Sequence, residues 1–285
     1  MLYPIRKILS RSVKFCGHVH ATSSKIWKMI RPRTIWKPSS VVFTVSLTLF
    51  ALRALAQEAH PPHWTYEGKE GPNDWGKLDP SYATCSLGRT QSPINIEHAK
   101  EAKLPVLKFD YKAVPLNIID NGHTVQGNYA PGSTLAVGSK SYTLKQFHFH
   151  HPSEEHLNGR PYDMVAHLVH SDADGHLAVV AVFLKKGEAN AFLDSVWRNI
   201  PSEKGKEVAV SNLTINLEDL LPADHGYYTF TGSLTTPPCS EGVTWYVLKH
   251  PVSLSGDQLA AFAKLYPNNA RPIQPPNGRE ILETK

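Results

Sequence analysis

From Gln91 onward the chain runs as short segments in which apolar and polar positions alternate. Val106-Leu-Lys-Phe-Asp-Tyr111 and Leu116-Asn-Ile-Ile119 are examples, and a period of two marks a strand with one buried face. Turn residues separate the segments at Asn121-Gly122, Pro131-Gly132, Gly138 and Asn158-Gly159, as strand-to-strand connections require. Residues 177–184 (Leu-Ala-Val-Val-Ala-Val-Phe-Leu) do not alternate, and an unbroken apolar run suits a central strand buried on both faces. Helical periodicity is convincing only at 190–200 and 256–266. The second of these follows Ser255, an N-cap residue, and stops before Pro267. Residues 57–89 carry His63-Trp64, Tyr66, Trp75 and Tyr82 among Pro and Gly without any period, which reads as an irregular segment wrapping the domain. Many short strands with few helices predict a mainly β fold, one large sheet with peripheral helices. No internal repeat, low-complexity tract or linker divides 57–285, so it forms one domain.

Residues 1–56 follow another pattern. They hold ten Lys or Arg and no Asp or Glu, and 41–52 is an apolar run of twelve, short for a membrane span. Ala54-Leu55-Ala56 then places small residues where a signal peptidase reads. Together these predict a secretory signal peptide cleaved after about Ala56, with a tilted membrane anchor as the competing reading. Met29 offers an alternative start, and the absence of paired arginines argues against a twin-arginine route. The leader changes the electrostatic picture. The whole chain carries +5 at pH 7 and a pI near 9.0, which would suit an anionic partner. Subtracting the leader's ten cations from the chain's 30 leaves 20 against 25 acidic residues, a net charge of −5 for residues 57–285. That removes the cationic signal of a nucleic-acid binder, and no stable membrane association is expected once the leader is gone. A periplasmic or secreted location follows, for either a monomer or a dimer. Cys16 leaves with the leader, so Cys85 and Cys239 remain as an even pair. In an oxidising compartment they either form a disulfide or stay as two buried thiols.

Candidate chemistry concentrates in Gln146-Phe-His-Phe-His150 and in His167 of Met164-Val-Ala-His-Leu-Val-His170. On a strand, His148 and His150 share one face while Phe147 and Phe149 take the other. A third imidazole from a neighbouring strand completes three corners of a tetrahedron, and an open fourth corner distinguishes catalytic from structural zinc. Six histidines lie between 148 and 170. Strand parity selects His148, His150 and His167 and sets aside His151 and His170, while His156 sits in a polar Asn-Gly turn region. The His-x-His pattern alone is equally the mark of hydrogen-bonded core histidines.

The motifs Gln91-Ser-Pro-Ile-Asn-Ile96, Asn121-Gly-His123, Gln146-Phe-His-Phe-His150, Ala166-His-Leu-Val-His170, Gly232-Ser-Leu-Thr-Thr-Pro-Pro-Cys239 and Val243-Thr-Trp245 together resemble those of the α-class carbonic anhydrases. They occur in family order over nearly all of 63–285. The resemblance implies one twisted, mostly antiparallel sheet of about ten strands with a conical cleft ending at Zn2+. It also implies reversible hydration of carbon dioxide to bicarbonate and a proton, by zinc-bound hydroxide attack with a His proton shuttle. His148, His150 and His167 would be the ligands. Zinc lowers the pKa of a bound water to about 7, a value for which carbonic anhydrases are themselves the reference case. Thr235 would orient the nucleophile against the carboxylate of Glu154, and His123 would carry the proton out. Val125, Val169, Val179, Leu234 and Trp245 would form the apolar wall that receives carbon dioxide, and Thr236 would lie near bicarbonate. Cis peptide bonds are implied at Ser92-Pro93 and Pro237-Pro238.

One departure is informative. Many family members have Ser-Glu-His and, later, a Glu two residues before the third ligand. This chain has Ser153-Glu154-Glu155 and Val165-Ala166-His167. A metal-bound imidazole usually donates its other N–H to a partner that fixes its tautomer. Gln146 matches that partner for His148; either His167 has lost its partner, or Glu155 supplies it from the neighbouring strand. A bulge or irregular turn after Pro152 would be needed to bring both Glu154 and Glu155 to the site. Two other functions compete with the enzyme reading: a catalytically weak relative acting as a binding module, and a zinc esterase, for which the same site could supply a side activity.

Overall fold

The computed structural model describes residues 62–285. The basic leader and the cleavage site expected near Ala56 lie outside the described residues. Ten strands form the main path of the sheet. In chain order they are β1 (Lys100–Ala102), β2 (Val114–Asp120), β3 (Val125–Asn128), β4 (Lys140–His150), β5 (Met164–Ser171), β6 (Leu177–Lys186), β7 (Glu207–Ile215), β8 (Tyr227–Ser233), β9 (Glu241–Leu248) and β10 (Leu282–Thr284). They lie side by side as β7-β2-β3-β4-β5-β6-β9-β8-β10-β1, and three further short strands raise the sheet to 13. Neighbours are antiparallel except at β6–β9 and β10–β1, so the sheet is mixed but mostly antiparallel. A separate three-stranded sheet joins Asn95–Ile96, His156–Leu157 and Arg160–Pro161.

The unbroken run at 177–184 is indeed a central strand, and it feeds both faces. Ala178, Val180, Val182 and Leu184 enter the larger core, while Val179, Ala181 and Phe183 enter a smaller one on the opposite side. The helices expected at 190–200 and 256–266 are α1 (Ala191–Trp197) and α2 (Gly256–Leu265). The α1 start is set by Asn190, which caps Leu193 N–H, and the α2 start by a capping box between Ser255 and Gln258. Residues 62–89 carry only single helical turns, Trp75–Leu78 and Thr84–Leu87, beside short 3-10 turns. Their aromatic residues Trp75 and Tyr82 form a third small core with Cys85 and Cys239.

Alternation along β4 is interrupted once, and that break decides what faces the site. Leu144 lies opposite His170, yet Gln146 lies opposite Val169, leaving Lys145 as an extra, exposed residue. A bulge of this kind re-aims the side chains beyond it. Tyr142 and Leu144 before it, and Phe147 and Phe149 after it, all enter the larger core. Gln146, His148 and His150 therefore share the other face.

Cys85 and Cys239 form a disulfide across 154 residues of sequence. Reduction is expected to lower unfolding free energy by up to about 5 kcal/mol, the chain-entropy value for closing a loop of this size. Urea unfolding with and without reductant, alongside thiol titration, tests this; an unchanged midpoint after both thiols are freed would contradict it.

Candidate active site

His148 and His167 are directly opposed residues of β4 and β5, with His150 one pleat farther along. Their ligating nitrogens all lie within 4.8 Å of one another. Each ring is oriented by what its outward nitrogen finds. His148 Nδ1 donates to Gln146 Oε1 at 2.8 Å, His150 Nδ1 to the backbone oxygen of Asn269 at 2.7 Å, and His167 Nε2 to Glu155 Oε2 at 3.1 Å. These bonds place the protons outward, so His148 Nε2, His150 Nε2 and His167 Nδ1 face one another as bare lone pairs. His150 Nε2 is buried and makes no hydrogen bond. A buried imidazole nitrogen without a partner costs free energy unless something occupies the space before it. Three convergent, unprotonated imidazole nitrogens fit a borderline-soft divalent cation such as zinc.

The electrostatics favour the neutral form of His148 and His150. Burial, then the charge of neighbouring His167, pushes His148 down to about 3 and His150 well below the usual imidazole range. Burial also disfavours charge on His167, but the charge and hydrogen bond of Glu155, helped by Glu154, raise it overall. Glu154 is fully buried and burial raises it to about 7, against the opposing pull of His167. Its Oε1 accepts from Arg271 N at 2.9 Å. Its Oε2, 3.4 Å from His150 Nε2 and 3.8 Å from His167 Nδ1, has no hydrogen-bond partner. Thr235 is near enough to favour the ionised form of Glu154, although no hydrogen bond of full geometry joins them. Both carboxylates reach the site because residues 151–155 form an irregular turn rather than a strand, entered by a cis His151-Pro152 bond.

Beside the imidazoles runs an apolar row. Val169 of β5 pairs with Val179 of β6, which pairs with Trp245 of β9. Trp245 meets the His167 ring edge-on at 4.9 Å. Leu234, from the loop after β8, packs against the core that holds this row, and Thr235 follows it in the same loop. That loop is closed by Leu234 N to Ser240 O at 3.0 Å, by Cys239 N to Thr236 O at 2.8 Å and by the disulfide.

The whole arrangement has counterparts among known proteins. The model of the eukaryotic-type carbonic anhydrase family matches residues 70–285. The chain belongs to the α-carbonic anhydrase family. A carbonic anhydrase of Nostoc sp. is 42% identical over 226 residues, which span 78% of this chain and 86% of that protein. One from Pectobacterium carotovorum is 44% identical over 221 residues, covering 77% and 90%. The solved structure of a hyperthermostable carbonic anhydrase from an active hydrothermal vent chimney superposes with a TM-score of 0.76 at 44% identity, covering 78% of this chain and all of the other. The chain is thus an enzyme of the carbonic anhydrase type, whose general reaction is the hydration of carbon dioxide.

Among α-carbonic anhydrase positions anticipated from sequence, the structure brings together His148, His150, His167, Gln146, Glu154, Glu155, Thr235, Val169, Val179, Leu234 and Trp245. Thr236 is half-buried in the same loop. His123 stands apart from the imidazole cluster, stacked on Trp64 with ring centroids 3.7 Å apart and planes within 8°. His170 points to the opposite face, where its Nε2 meets Tyr111 Oη at 2.8 Å; His151 Nδ1 donates to Pro267 O. One expectation fails. Val125 does not line the apolar wall but lies in the larger core. Gln126 is the β3 residue opposite His148, and alternation turns Val125 away.

Sequence reasoning missed two residues that hold the site. Asn269 receives His150, and its side chain also accepts from His151 N and donates to Phe149 O. Arg271, buried over Trp75, donates to Gln91 Oε1, Ser92 O and Cys85 O. Both come from an irregular stretch after α2 with no periodicity to betray them.

Glu155→Gln should weaken zinc binding about 10–100-fold, the range for partners of ligating histidines. A carboxylate accepts the imidazole N–H and raises its basicity, whereas an amide accepts less strongly and can turn its NH₂ inward. Competition with a zinc chelator measures this, and unchanged affinity would leave Glu155 without influence on the metal.

Proposed function

We propose that this chain catalyses the reversible hydration of carbon dioxide to bicarbonate and a proton, using Zn2+ held by His148, His150 and His167. The observation that carries the reading is the outward pairing of all three rings with Gln146, Asn269 and Glu155, which leaves three lone pairs aimed at one point. When bound there, zinc supplies the positive charge that lets a water molecule act as a nucleophile near neutral pH.

The remaining work falls to the protein. Neutral imidazoles leave the cation's charge undiminished. Thr235, donating toward Glu154, keeps its own oxygen lone pairs free to orient the attacking oxygen. Val169, Val179, Leu234 and Trp245 give carbon dioxide an apolar resting place with no competing hydrogen bonds, and Thr236 offers the product a hydroxyl. The proton then leaves through His123. Burial lowers the His123 pKa below the ordinary 6.5, with His63 and Lys204 adding to the effect and Asp120 opposing it. The ring is therefore a neutral acceptor at pH 7 and returns its proton readily. The disulfide supports an oxidising location, periplasmic or extracellular.

His167→Ala should lose zinc and hydration activity together. Stability should fall by only about 1–3 kcal/mol, the cost of stranding buried polar partners, because the larger core does not include the ring. Metal analysis, stopped-flow hydration and circular dichroism measure the three; activity persisting in the metal-free variant would end this reading. His123→Ala should lower kcat much more than kcat/KM, with partial rescue by imidazole. In the parent protein, kcat in weak buffer should be present at high pH and lost as pH falls through an apparent pKa below 6.5. Equal loss of both parameters without rescue would make His123 a structural residue.

A further inference from the structure

His123 is carried on a tight turn that is tied at several points. Asn121 Oδ1 accepts from His123 N and Thr124 N, both at 2.9 Å. Gly122, at φ +89°, adopts a conformation that favours glycine, and its N–H donates to Asp120 Oδ1 at 3.0 Å. The same Oδ1 accepts the phenolic proton of Tyr266. Asp120 is 3% exposed and Tyr266 7%, and no Lys or Arg pairs with this carboxylate among the described residues. A buried carboxylate held by one hydroxyl and one backbone N–H is costly to keep, and neither member of the pair is among the metal-facing or wall residues above. Tyr266 closes α2 at its C-terminal end, packs on Phe262 and has Lys204 Nζ 5.4 Å from its ring centroid. The strand-end carboxylate thus anchors the turn to a helix 146 residues away in sequence.

We propose that the buried Tyr266–Asp120 hydrogen bond is the positioning device for proton export, holding the Asn121-Gly122-His123 turn so that the imidazole keeps its seat on Trp64. The proposal rests on the reading of His123 as the proton exit. Asn269 supplies a second tie, Nδ2 to His123 O at 3.0 Å. Because Asn269 also receives His150, its loss would disturb the metal cluster and could not isolate the turn. Tyr266 touches no ligand. Its hydroxyl can be removed without changing the ring that packs on α2.

The test is stopped-flow carbon dioxide hydration by zinc-loaded Tyr266→Phe, with His123→Ala in parallel, in weakly buffering solution and again with added imidazole. A turn loosened but not lost should lower kcat about 3- to 10-fold, short of the roughly 10²-fold that an ångström of misplacement can cost. The value of kcat/KM should hold, and imidazole should restore much of kcat. Proton NMR adds a readout independent of turnover: the His123 ring resonances, displaced by the stacked indole, should move toward ordinary positions in Tyr266→Phe. If kcat and kcat/KM fall together without rescue, the bond is structural and the proposal is overturned. If His123→Ala lowers kcat while Tyr266→Phe does not, the positioning claim alone fails. If His123→Ala leaves kcat untouched, the exit reading fails and takes this proposal with it.

Discussion

A neutral histidine offers a lone pair on one nitrogen only while the other keeps the proton, and in this protein that constraint organises the site. Three outward hydrogen bonds, to Gln146, Asn269 and Glu155, fix three tautomers at once. The acceptors differ in kind: a side-chain amide on the same strand, a backbone carbonyl from the C-terminal segment and a carboxylate on a turn. The sheet supplies the parity that gathers the rings. The periphery supplies the acceptors that tell each ring which end is inward. Remove any one acceptor and the strands would still align the imidazoles, but one of the three would be free to present N–H where a lone pair is needed.

The rest of the site depends on long-range ties. Glu154 is held by the backbone of Arg271, whose guanidinium reaches the segment preceding the first strands. Burial lowers that guanidinium to about 10 while leaving it charged at neutral pH. Its third bond, to Cys85 O, ties it to the disulfide, whose other half closes the Thr235 loop. Gln91 completes the circuit by donating to Cys239 O at 3.0 Å. The N-terminal segment, the Thr235 loop and the C-terminal stretch thus meet at one buried cation, which rigidifies the walls around the imidazoles without touching them.

The sequence made the strands legible because their burial has period two or none, and the continuous run of β6 could only be central. His148, His150 and His167 were legible for the same reason, since parity is a local property. The bulge at Lys145 was not: an exposed lysine between two apolar stretches gives no sign that the alternation changes phase there. Val125 was misplaced because the family likeness alone assigned it to the wall; on the ladder Gln126 faces His148, and alternation turns Val125 into the larger core. Asn269 and Arg271 act through backbone and guanidinium bonds to partners between 117 and 186 residues away. No pattern confined to a short window carries that information. The second helix was recovered with its cap, Ser255, because capping is written within four residues, whereas Asn190 was read into the helix that it caps.

The carboxylate beside His167 sits on a turn, outside the ligand strand, and this bears on which substitutions the site would tolerate. A glutamate added at position 165 would crowd a third carboxylate into a buried space already holding Glu154 and Glu155. Val165 fills its place with a packed methyl surface in the smaller core, so a longer acid there would also meet an occupied site. The imidazole draws its charge from the turn, and the ligand strand is left free to pack.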